Sequence, residues 1–73
     1  NIFYKLERMP SDDEKIPPQA VQILSVLTEE PVEKSVLVDN LKGVLTTKQP
    51  PERIVAFYQK RLVNEGFMSM IKE

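Results

Sequence analysis

Few side chains in this 73-residue chain could carry covalent or acid–base chemistry. Ser11, Ser25, Ser35 and Ser69 are nucleophiles only beside a base, and the chain has no histidine to serve as one. Cysteine is absent too, so thiolate chemistry, disulfide staples and the usual zinc ligand sets go together. The two glycines, Gly43 and Gly66, belong to no phosphate-cradling GxxxxGK(S/T) loop. Lysines and carboxylates remain, but a chain this short has little room for the pocket that would tune them. The acidic run Asp12-Asp13-Glu14 lacks the spaced ligands and central glycine of a calcium loop and reads as a solvated turn. These residues predict a chain that is not an enzyme, with no metal, no cofactor and no small-molecule substrate.

What is left is binding, and the segment Pro50 to Met70 is the one organised to do it. Pro51 suits a first helical position, where its missing N–H needs no partner. A helix from about Glu52 follows, with Val55, Tyr58 and Leu62 at i, i+3 and i+7 forming its buried stripe. Gly66 supplies the left-handed stop, and Phe67 packs back as the chain leaves towards a short apolar strand over 67–71.

Earlier elements must seat that helix. Asn1 to Met9 alternates, with Ile2, Tyr4 and Leu6 on one side and Lys5 and Glu7 on the other, which predicts an edge strand. After the polar loop 10–15, Pro18 opens a first helix that should run to about Glu29, its stripe Ala20, Leu24 and Leu27. A second helix from about Ser35 to Leu45 would turn in Leu37 or Val38, Leu41, Val44 and Leu45, with Gly43 weakening it. Strands at the two ends of the chain can pair with each other, each giving the other's backbone its partner. Met9, Met68 and Met70 are expected to fill gaps around those strands. The fold class predicted is α+β, three helices with a small antiparallel sheet of N- and C-terminal strands, in a single domain over 1–73. Its expected core is Tyr4, Leu6, Ala20, Leu24, Leu27, Leu37, Leu41, Leu45, Val55, Tyr58, Leu62 and Phe67.

Charge sets further bounds. The formal net charge is −1, but residues 1–34 carry four basic and seven acidic groups and residues 35–73 carry six and four, so the C-terminal half is the cationic one. The longest uncharged run, Ile16 to Thr28, is 13 residues, against the roughly 20 that cross a bilayer. No membrane partner is expected, and a small domain without staples points to the cytoplasm. The chain opens on Asn1 rather than methionine, as a domain cut from a longer protein would.

The stretches AVQILSVL, SVLVDNL and IVAFYQKRLVNEGFMSM, taken in order, resemble a winged helix-turn-helix domain over residues 20–71. Val55, Tyr58, Leu62, Gly66 and Phe67 stand where that family's third helix carries its packing residues and its stop. The resemblance implies a DNA-binding module of the kind used in transcription regulation, its third helix, about 51–65, lying in a major groove. On that reading Arg53, Lys60, Arg61 and Asn64 reach bases or backbone, with Thr46, Thr47, Lys48 and Gln49 near phosphates at the helix start.

The same helix carries an alternative. Ile54, Phe57 and the stem of Arg61 fall at i, i+3 and i+7, a stripe suited to a protein partner or a homodimer, because aromatic and arginine side chains dominate interface hot spots. Turning the helix by one position would instead put Phe57 in the core and tilt Tyr58 outward, and spacing alone permits both.

Overall fold

Tyr4 sits at the centre of the sheet with its ring fully buried and its hydroxyl donating to Gln59 Oε1, so a strand of alternating side chains is locked to the last helix. The computed structural model describes residues 1–45 and 48–73. Its elements run β1 (Ile2–Leu6), α1 (Pro18–Ser25), β2 (Val32–Glu33), α2 (Lys34–Lys42), α3 (Pro51–Asn64) and β3 (Met68–Lys72). The architecture is α+β, three helices on an antiparallel sheet of order β2-β1-β3. The terminal strands pair as expected, in a register from Ile2 opposite Lys72 to Leu6 opposite Met68.

β1 is therefore the central strand and not an edge. Its second neighbour is β2, which sets Val32 opposite Tyr4 and Glu33 opposite Phe3. Two residues cannot display a period of two, so β2 left no mark in the sequence pattern.

α1 ends at Ser25, four residues before the expected Glu29. Ser25 Oγ donates 2.7 Å to the Gln22 carbonyl, a back-bond that competes with the helix ladder. Val26 and Leu27 then close tighter i→i−3 turns, and the Thr28 carbonyl takes the Leu6 N–H at 2.7 Å. The bond to β1 pulls the chain off its helical path while Leu27 stays buried.

α2 stops at Lys42, with Gly43 at its C-cap rather than in its interior. Val44, expected inside, is exposed, because it lies beyond the helix in the turn that Leu41 closes. Leu37, Val38 and Leu41 are all buried, so both alternatives at 37 and 38 face in.

The core holds Tyr4, Ala20, Leu24, Leu27, Leu37, Leu41, Val55, Leu62 and Phe67 as expected, while Leu6, Leu45 and Tyr58 are half-buried against it. Ile23, Val38, Ile54 and Met68 are buried as well. Of the three methionines only Met68 fills the core. Met9 lies exposed in the loop after β1, and Met70 is exposed on the edge strand β3.

Candidate functional site

α3 is held at both ends by backbone chemistry. Pro50 caps it in an extended conformation and its carbonyl accepts from Arg53 and Ile54 N–H, while Glu52 places negative charge in the first turn, where the helix dipole favours it. At the other end Gly66 has φ +78°. The Phe67 N–H reaches back to the Leu62 carbonyl at 3.0 Å and the Gly66 N–H to Val63 at 3.1 Å, the paired bonds of a Schellman stop. Leu62 and Phe67 meet in the core beneath them.

Ile54, Val55 and Leu62 seat the helix, with Tyr58 half-buried beside them. This corrects one expectation: Ile54 is 1% exposed and forms no part of an outer stripe. It precedes Tyr58 by four residues and so lies on the same face, whereas Phe57 is turned a further 60° away. Phe57 is 76% exposed.

With Ile54 inside, the outer face reads Arg53, Phe57, Lys60 and Asn64, all exposed and spaced i, i+4, i+7 and i+11. Such spacing lines side chains along one side of a helix over about 16 Å. Arg53 and Lys60 join no ion pair among the described residues. Arg61, to one side, is engaged: its Nε donates 2.8 Å to Glu65 Oε2 and its guanidinium reaches the Lys15 carbonyl at 3.3 Å. That arginine therefore ties the loop before α1 to α3, and its charge is matched by Glu65.

Lys48 and Gln49 lie exposed just ahead of α3. Thr46 and Thr47 fall outside the described residues. A concavity of about 330 Å³ opens beside Phe57, lined by Gln19, Gln49, Arg53, Ile54, Phe57 and Tyr58. Gln19 comes from the first turn of α1. No spacing rule joins it to residues thirty or more positions later, so the sequence carries no signal for it.

Asp13 and Glu14 of the 11–14 turn serve structure, Asp13 accepting from Ser11 Oγ at 2.7 Å. Glu14 accepts from Arg8 at 2.9 Å and from the Ser11 N–H at 3.0 Å. Those bonds, Arg8 foremost, hold its carboxyl down at about 2 against an ordinary 4.5. Ser69 Oγ donates to Glu7 and lowers that carboxyl too, while burial raises the Tyr4 hydroxyl. Among the described residues no group of three or more acids could hold a metal ion. No helix there is long and apolar enough to cross a membrane.

No protein-family model matches the chain, and neither a curated protein nor a solved structure matches it significantly.

Proposed function

We propose that this chain is a non-catalytic binding module that engages nucleic acid through the outer face of α3. The observation that carries the reading is the exposed line of Arg53, Phe57, Lys60 and Asn64 on a helix whose opposite side is anchored in the core. Arg53 and Lys60 supply charge for phosphates, with Lys48 near the helix start as a third contact. Asn64 offers both a donor and an acceptor, the combination that reads adenine edges. The resemblance of residues 20–71 to winged helix-turn-helix domains favours the same helix as the reader.

A second reading, docking of a protein partner or a second copy on Phe57, is favoured by the exposure of that ring. With Ile54 buried, however, the apolar stripe shrinks to one aromatic side chain flanked by Arg53 and Lys60, with the Arg61–Glu65 pair beside them. Interface cores are depleted in charge, and this surround suits a polyanion better.

The test is fluorescence anisotropy with labelled oligonucleotides at several salt concentrations. The proposal expects binding that weakens with salt, and Arg53→Ala or Lys60→Ala each lowering the log–log salt slope by about one. Salt-independent binding, or binding indifferent to both substitutions, would rule it out.

A further inference from the structure

Resting on the nucleic-acid reading above, we infer that the α3 face takes its ligand single-stranded, with one unpaired base stacked on the Phe57 ring. The Phe57 ring is 76% exposed between Arg53 and Lys60, touched at one edge by Tyr58 and otherwise open to solvent. In a duplex each base face is covered by its neighbours, so a ring can meet only a base edge. An unpaired base offers its face, and stacking on exposed aromatic side chains is how single strands are commonly held.

The surroundings of the ring fit that occupant. Arg53 lies four residues before Phe57 and Lys60 three after, which roots one cationic side chain about 6 Å and the other about 4.5 Å along the axis on either side. A nucleotide stacked at Phe57 thus has a cation towards each flanking phosphate. Tyr58 meets the Phe57 ring edge to face, at a centroid distance of 4.8 Å, and steadies it from the core side. The concavity of about 330 Å³ alongside, which Gln19 helps to line, gives the base edge a polar side chain to face. An amide donates and accepts, so it tolerates more than one base. Because Arg61 is already matched by Glu65, few phosphates are neutralised, in keeping with a short stretch of strand.

The experiment compares the chain and its Phe57→Ala, Phe57→Tyr, Arg53→Ala and Lys60→Ala variants against labelled single-stranded DNA, single-stranded RNA and a DNA duplex at one low salt concentration. Thermal melts confirm that each variant is folded. The inference expects at least one single strand to bind about tenfold or more tighter than the duplex. It also expects Phe57→Ala to cost about tenfold on that strand, with Phe57→Tyr close to the parent. Whether DNA or RNA is preferred shows in the two single-strand arms. Duplex bound as tightly as either strand, with Phe57→Ala neutral and the two cation variants weakened, overturns the inference and leaves the nucleic-acid reading standing. No oligonucleotide bound, together with self-association that Phe57→Ala abolishes, overturns both.

Discussion

The Phe57 and Tyr58 rings meet edge to face, centroids 4.8 Å apart and planes at 80°, with Phe57 out in solvent and Tyr58 half-buried against the core. Two adjacent aromatic residues thus divide between surface and interior, and the division fixes the rotation of α3. Everything proposed for the outer face depends on that rotation.

Ile54 and Phe57 are three residues apart and should respond oppositely to truncation. Ile54→Ala removes a buried side chain and is expected to cost about 2–5 kcal/mol. Phe57→Ala should stay within about 0.5 kcal/mol of the parent, as exposed positions do. Urea denaturation followed by circular dichroism measures both. Equal losses would mean that the helix is turned differently from the structure.

Gly66 tests the stop of α3. A Cβ built there meets nothing within 4 Å, so the cost of Gly66→Ala comes from the backbone at φ +78° and not from a clash. The expected loss is about 1–2 kcal/mol, and each kcal/mol is worth roughly 4–8 °C in the midpoint for a domain of this size. Gly66→Asn, which enters the left-handed region more easily, should lose less. A thermal melt of the three proteins checks the order.

Acid should loosen the 8–14 loop. Glu14 is held near 2 in the folded chain against an ordinary 4.5, so the folded state resists protonation that the unfolded state accepts. Its stabilising contribution is complete above the unfolded value and is lost as pH falls from about 4.5 towards 2. Arg8, its partner, also sits 4.0 Å over the Phe67 ring and donates 3.0 Å to the Glu65 carbonyl, so the loss reaches the end of α3. Denaturation midpoints across that window should fall in the parent and fall less steeply in Glu14→Gln, which is already without the charged partner at neutral pH.

The parts of the fold that could be read from residues were those with local causes. Pro50-Pro51 and Gly66 bracket α3 because a missing donor and a positive φ act where they stand. The pairing of β1 with β3 followed from two short apolar strands that each needed a partner. β2 was not legible, since its two residues become a strand only by lying against β1, and that made β1 central. The end of α1 depends on a bond between Thr28 and Leu6, more than twenty residues apart. On the outer face, Arg53, Lys60 and Asn64 stood in the sequence as exposed helix positions and are so placed. Ile54 is buried rather than part of the outer stripe, and its spacing of four from Tyr58 carries that signal. The concavity with Gln19 is made by the crossing of α1 and α3, and no reading of one helix at a time reaches it.

Amide chemical-shift mapping on the isotopically labelled chain, titrated with a short single-stranded oligonucleotide at low salt, tests the central claim most directly. The account predicts that the largest changes fall on Arg53, Phe57, Lys60 and Asn64, with the amides of β1 and of Ser35 and Asp39 on α2 little moved. Changes concentrated on the sheet or on α2, or a spectrum that stays still at every oligonucleotide concentration, would contradict it.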